Sequence, residues 1–236
     1  MERHRLSSAI VMSIAIIVLG SMLPVAVKDF RAFDRTVTVK GLCEREVEAD
    51  KVIWPINYRV ASNDLSDLTA KMESNRKTIV QFLKDGGIDE SEITFSAPKI
   101  SDKYSQEYVG TDNRRFRYIS QNVITVSTEK VSKVQPLTTR VQELLKAGVI
   151  VSSENCWDDN IQYLFEGLNE IKPDMIHEAT ANARVAAEQF ATDSDSKIGK
   201  IKTASQGTFS IEDRDATTPQ IKRVRVVTSL TYYLVK

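Results

Sequence analysis

Residues 37–60 read VTVKGLCEREVEADKVIWPINYRV and gather Cys43, Glu44, Glu46, Glu48 and Asp50 in one short stretch. A thiol among carboxylates is the composition of an acidic, cysteine-bearing active-site wall, so spacing has to decide whether it is one. Glu44, Glu46 and Glu48 share one phase of a period-two pattern, which puts them on one solvent face of a strand with Asp50 in the following turn. That arrangement solubilises a scaffold strand. Cys43 has one sulfur companion, Cys156, far along the chain, with neither a C-x-x-C pair nor zinc-ligand spacing. Two half-buried inert thiols, a disulfide allowed in an oxidising compartment, and a redox role all remain open to this pair.

The other reactive side chains are sparse. His177 is the one histidine beyond the N-terminal tip, which leaves little material for a metal site or a Ser-His-Asp arrangement, and it reads as a solvated helix residue. Asp193-Ser194-Asp195-Ser196 has the look of a calcium loop but lacks its glycine and its distant glutamate, so it reads as a helix end. Asp158 and Asp159 beside Trp157 have the chemistry to face a sugar or a cation, and read more simply as a turn. Arg114, Arg115 and Arg117 with Phe116 and Tyr118 resemble a base-stacking surface. With 32 basic and 32 acidic residues there is no electrostatic footprint for nucleic acid, so these charges read as a protected hairpin edge. No catalytic, cofactor-binding or metal-ligating residue is assigned.

Elements that would position these groups follow from periodicity. The 42% apolar and 27% charged composition is that of a globular chain. Val52, Trp54, Ile56, Tyr58 and Val60 fall on alternate positions, a half-buried strand, and Pro55 on the other phase calls for an edge or a bulge. Leu65, Leu68, Met72, Ile79 and Leu83 recur at helical spacing until Gly86-Gly87. Strands are expected over Ile93–Val109 and Arg115–Thr128, forming a long hairpin through Gly110–Asn113. A second helix is expected over Lys133–Ala147, with Val134, Leu137, Val141, Leu144 and Leu145 as its stripe and Pro136 in its first turn. Val149–Ser153 and Asn160–Leu168 suggest a strand or a bent strand pair. A third, alanine-rich helix starts at Pro173-Asp174 and runs through Ala179, Ala183, Ala186, Ala187 and Phe190. Ile201–Ile211 and Ile221–Val235 are strands again. Gln81–Ile88 (QFLKDGGI) and Glu143–Val149 (ELLKAGV) echo one another, either as duplicated units or as two helices with the same glycine cap. The fold class is therefore α+β, an antiparallel sheet or sheets with helices packed on one face.

Ahead of this domain, Leu6–Val27 carries no ionisable side chain and follows Arg3, His4 and Arg5. As a helix it would span roughly 33 Å, enough for a bilayer. It reads first as an uncleaved anchor, then as a cleaved signal, and last as a core helix, since no A-x-A-like site closes it. Basic residues before the run favour an exported remainder. The domain plan is residues 1–28 as anchor or signal and 36–236 as one α+β domain, with the inner membrane a partner through the N-terminal helix.

Two of these stretches resemble a known family. VTVKGLCEREVEADKV is similar to the first strand of SIMPL-domain (DUF541) proteins, V-x-V-x-G-x-(small)-x-x-x-V-x-P-D: Val37, Val39, Gly41, Val47 and Asp50 match, while Cys43 replaces the small residue and Ala49 the proline. Ala179–Ile201 is similar to the family's A-R-x-x-A-x-x-(L/F)-A and (L/I)-G-K-(V/I), through Ala183, Arg184, Ala187, Phe190, Ala191, Ile198, Gly199 and Lys200. The resemblance extends over residues 36–236. It implies a bacterial protein exported to the periplasm or outer envelope, linked to oxidative-stress defence, and in one member assembled into a ring-like, channel-like oligomer. It carries no catalytic residues, cofactor or metal. The expectation is thus a non-enzymatic envelope protein that forms homo-oligomers through strand edges near Pro55 and the 93–128 hairpin and binds no nucleic acid. The alternatives are a thiol protein acting through Cys43 or Cys156, and an envelope enzyme using Asp158, Asp159 or His177.

Overall fold

A computed structural model describes Met12 and residues 35–105, 116–151 and 160–235. In chain order the elements are β1 (Thr36–Glu48), β2 (Lys51–Ser62), α1 (Leu65–Asp85), a 3-10 turn (Glu90–Glu92), β3 (Ile93–Phe95), β4 (Lys99–Asp102), β5 (Tyr118–Thr128), α2 (Val131–Arg140), α3 (Gln142–Lys146), β6 (Gln162–Leu164), α4 (Leu168–Asp193), β7 (Lys197–Gln206), β8 (Ser210–Asp213) and β9 (Ile221–Val235). This is an α+β chain with antiparallel pairing. The described residues fall into two compact units, one built from 35–45, 171–210 and 224–235, the other from 46–170 and 211–223. Among them no helix is long and apolar enough to cross a membrane. The Leu6–Val27 run, Met12 apart, lies outside the described residues.

The larger unit is organised around β2. Val52, Trp54, Ile56, Tyr58 and Val60 are all buried, as alternation requires of a strand covered on one face. β2 pairs with β5 in unbroken antiparallel register from Val52↔Thr128 to Ser62↔Tyr118, giving the sheet order β3-β5-β2-β6, with β4 also on β5. Pro55 sits opposite Thr125 without a bulge. Arg59, of the same phase, donates its amide to Ile150 O on the side away from β5. Alternation turns the nitrogen of Pro55 to that side too, where the described β6 pairing covers only Lys51–Ile53, so no ladder bond is forfeited among the described residues.

Helix α1 lays Leu68, Ile79, Phe82 and Leu83 into the core, capped at its start by Asp64, whose carboxylate accepts from Asp67 N at 2.8 Å. The helix expected over Lys133–Ala147 is two helices. α2 starts two residues early, at Val131, so Pro136 lies inside it, and the chain tightens at Val141, whose carbonyl takes Leu144 N at 3.0 Å. The break turns Leu145 out to 53% exposure while Val134, Leu137 and Leu144 stay buried. The hairpin strand expected over Ile93–Val109 is likewise split, since Pro98 cannot donate to β5 and separates β3 from β4. Its turn at Gly110–Asn113 lies outside the described residues. The echo between QFLKDGGI and ELLKAGV is one capping geometry used twice. Gly87 (φ +88°) and Gly148 (φ +82°) take the left-handed conformation, and Ile88 N and Val149 N return to Leu83 O and Leu144 O. Ile88 and Val149 are then buried.

In the smaller unit, residues 36–45 of β1, β7 and residues 224–235 of β9 form a sheet of order β1-β9-β7 packed against α4; β8 pairs with β9. Val39, Gly41 and Cys43 are the buried phase of β1, and Thr38, Lys40, Leu42 and Glu44 the exposed one. From the helix come Ala179, Ala183, Ala187 and Ala191, one stripe at four-residue spacing, all buried. Small residues on both partners bring the backbones close. A Cβ on Gly41 would stand 1.9 Å from Ala179 O and 2.5 Å from Ala183 N, so only glycine fits there. Phe190, expected among the stripe residues, is 60% exposed because it falls off the four-residue phase.

α4 also begins earlier than Pro173 suggests. Asp50 accepts Glu166 N at 2.8 and 2.9 Å and Gly167 N at 2.7 Å, satisfying amides just ahead of Leu168. A carboxylate remote in sequence thus holds the helix entry, and Pro173 is accommodated inside the helix.

Candidate functional site

The residue with the most chemical potential is Cys43, and β1 and α4 define its surroundings. It lies on the buried phase of β1, 2% exposed, and is a free thiol. Arg45, two residues on and so on the same side of the strand, reaches Glu178 of α4 with Nη2 at 3.1 Å from Oε2. Glu178 immediately precedes Ala179 of the packing stripe, which brings its carboxylate to the β1 side of the helix. Asn182, one turn on, donates from Nδ2 to Leu42 O at 2.9 Å.

Burial pushes the Cys43 thiol up from its ordinary range, and the hydrogen bond and negative charge of Glu178 add to that, with Arg45 opposing. The Arg45 guanidinium, then the thiol, hold Glu178 below the usual carboxylate range. The thiol therefore stays protonated beside a carboxylate that stays charged. This is the reverse of an activated cysteine, which needs a lowered pKa and access to solvent. The cluster fixes the seam between β1 and α4. Arg45 and Glu178 are part-exposed, so their ion pair adds little beyond orientation.

The remaining residues picked out from sequence are dispersed. Glu44, Glu46 and Glu48 are exposed on β1, with Arg214 Nη1 3.4 Å from Glu46. Asp50 is the helix cap described above, flanked by the Lys51–Glu166 pair at 2.9 Å. His177 is exposed on α4. Asp193–Ser196 is the C-terminal turn of that helix: Asp195 has φ +51° and Ser196 N returns to Ala191 O at 2.8 Å. Among the described residues no group of three or more potential ligands converges on a cation position. Arg117 is spent on Asp102, with Nε and Nη2 at 3.2 and 2.9 Å, and lies over the Tyr118 ring at 4.8 Å. That pairing holds Asp102 below its ordinary range and closes the end of the β4–β5 pair. Cys156, Trp157, Asp158, Asp159, Arg114 and Arg115 lie outside the described residues.

Sequence reasoning overlooked Glu178, Arg45 and Asn182 as the neighbours of Cys43, and Asp50 as a cap. Arg45 on the buried phase of β1 was the available signal, because an inward charge needs a partner. That partner stands 133 positions away. A cleft of about 520 Å³ between α1 and the α2–α3 pair was also not foreseeable. Its polar groups answer one another: Arg140 holds Glu143 at 2.8 and 2.9 Å, and Gln81 holds Asp85 at 2.7 Å.

Gly41 against the alanine stripe and Asp50 at the helix entry give structural meaning to the two stretches that carry the family resemblance. No curated protein compared with this chain matches it. The model of the SIMPL family, described as a protein of unknown function (DUF541), matches residues 37–232, and the chain belongs to that family.

Proposed function

We propose that this chain is an exported envelope protein that works by assembling with copies of itself rather than by turnover, in envelope maintenance or oxidative-stress resistance. Family membership and the uncharged Leu6–Val27 run behind basic residues support the export part of the reading. The observation that carries the assembly part is β7. It is a ten-residue strand at the end of the β1-β9-β7 order, exposed over most of its length, with one backbone edge unpaired among the described strands. Such an edge is a template for another strand.

Its lysines, Lys197, Lys200 and Lys202, disfavour pairing with a second β7, since like charges repel. They favour an acidic partner, and the exposed row Glu44, Glu46 and Glu48 on β1 of another copy has that character. A contact between two different surfaces is heterologous, and repetition of it closes a ring when the rotation permits. Pro55 lies on β2, whose one edge is paired with β5 from Val52 to Ser62, so β7 is the longer free edge among the described strands.

Size-exclusion chromatography with light scattering on the detergent-solubilised full-length chain tests the reading. A mass several times the 26.5 kDa protomer is expected, falling toward one protomer in Lys200→Glu/Lys202→Glu. A monomer at every concentration would remove it. N-terminal sequencing from fractionated cells checks the compartment.

A further inference from the structure

A second, smaller cleft in the larger unit, of about 150 Å³, lies between α1 and the sheet. Tyr58 and Asn122, directly paired across β2 and β5, line it together with Ile124. Met72 and Arg76 of α1 and Phe95 at the end of β3 complete it, where Pro98 interrupts the edge of the sheet. The size is informative. An apolar cavity of about 150 Å³ takes one benzene ring.

Three polar groups lining the cleft are only partly used within the protein. Tyr58 is 4% exposed, yet its Oη is 3.5 Å from Met72 O, well beyond the roughly 2.7–2.8 Å of an ordinary hydroxyl hydrogen bond. Asn122 is 6% exposed and donates from Nδ2 to Ser120 Oγ at 2.9 Å, with no partner on Oδ1 among the described residues. The Arg76 guanidinium lies 4.1 Å over the Phe95 ring, while its nearest carboxylate, Glu73 Oε2, is 3.7 Å away and beyond hydrogen-bond reach. Stacking fixes the plane of that guanidinium and leaves its in-plane donors for a carboxylate, the geometry in which arginine is most selective.

We propose that this cleft binds a small aromatic carboxylate with a hydroxyl group on the far side of its ring, of the size of 4-hydroxybenzoate. The carboxylate takes the donors of Arg76 in place of Glu73, and the ring lies against Phe95, Met72 and Ile124. At the buried end the ligand hydroxyl donates to Asn122 Oδ1 and accepts from Tyr58 Oη. An acceptor and a weakly engaged donor lining one cleft favour a hydroxyl, because a ligand without one leaves the Asn122 acceptor against apolar atoms. The inference is independent of assembly and survives if the protein is monomeric.

Isothermal titration of the full-length chain with 4-hydroxybenzoate, benzoate and phenol tests it, with buffer-matched detergent titrations as blanks. Saturable binding of 4-hydroxybenzoate is expected, at least about tenfold tighter than of benzoate or phenol, since one charge-assisted or one buried hydrogen bond is worth about that factor. Arg76→Gln should weaken it about tenfold. Glu73→Gln should tighten it, because the competing carboxylate is gone. Both positions are substantially exposed on α1, so both variants keep the fold, which circular dichroism verifies. Absence of saturable binding, equal affinity for phenol, or unchanged affinity in Arg76→Gln would each overturn the proposal.

Discussion

Gly41 and Cys43 sit two positions apart on the same face of β1 and carry opposite lessons about single residues. Gly41 is dictated by contact. The hypothetical Cβ meets backbone atoms of α4, which have no rotamer to yield, so Gly41→Ala must push the helix off the strand. Overpacking of this kind costs about 3 kcal/mol. Urea unfolding should show a midpoint shift of that size, and an unshifted midpoint would mean the strand–helix spacing is soft. Cys43, by contrast, is a residue whose chemistry is suppressed by its place. Buried beside a carboxylate that Arg45 keeps charged, it behaves as a small apolar side chain with one weak donor. The sequence showed both residues on the inward phase of a strand but could not show what faced them.

Element boundaries depended on partners as well as on propensity. The C-termini of α1 and α3 were legible because glycine at the left-handed position is a local requirement. The start of α4 was not, because its cap is Asp50, from the corner between β1 and β2, more than a hundred residues upstream. A lone aspartate after an acidic strand has the pattern of a solvated turn. Asp50→Ala should cost about 1–2 kcal/mol, the usual range for losing a capping side chain. It should also speed hydrogen exchange at the Glu166 and Gly167 amides while amides in the middle of α4 stay protected. Uniform acceleration across the helix would show that Asp50 supports more than the entry. Pro98 acted in the other direction, cutting one expected strand into β3 and β4 and so leaving the gap in the sheet edge beside which Phe95 and the smaller cleft sit.

On the scale of the whole molecule, zero formal charge conceals a directional dependence on pH. Asp67 is held low by Lys71 and Ser62, Glu90 by Lys84, Asp102 by Arg117, Glu143 by Arg140 and Glu178 by Arg45. Each contributes stability that is present in full above its unfolded value near pH 4 and is lost as pH falls through the lower folded one. Cys43 is raised, chiefly by burial, so its contribution is complete below the unfolded thiol value near 8.5 and is lost as pH rises through the folded one. A thermal-unfolding midpoint measured against pH should therefore be flat from about pH 5 to 8 and fall on both sides. Cys43→Ala should flatten the onset of the alkaline fall and leave the acid limb in place. An acid limb absent from the parent protein would show that these pairs persist in the unfolded chain.

The order of amino acids settled which residues point inward and where helices stop, because periodicity and glycine caps are enforced within a few residues of chain. It also determined the family, since the matched stretches are packing motifs read in order. Folding alone brought Cys43 beside Glu178, placed Asp50 at the start of α4, divided the strands between two sheets, and lined one cleft with Tyr58, Asn122 and Arg76. Each of those is an encounter between groups far apart along the chain. Burial and hydrogen bonding select such encounters from the folded ensemble of contacts, and no local pattern encodes them.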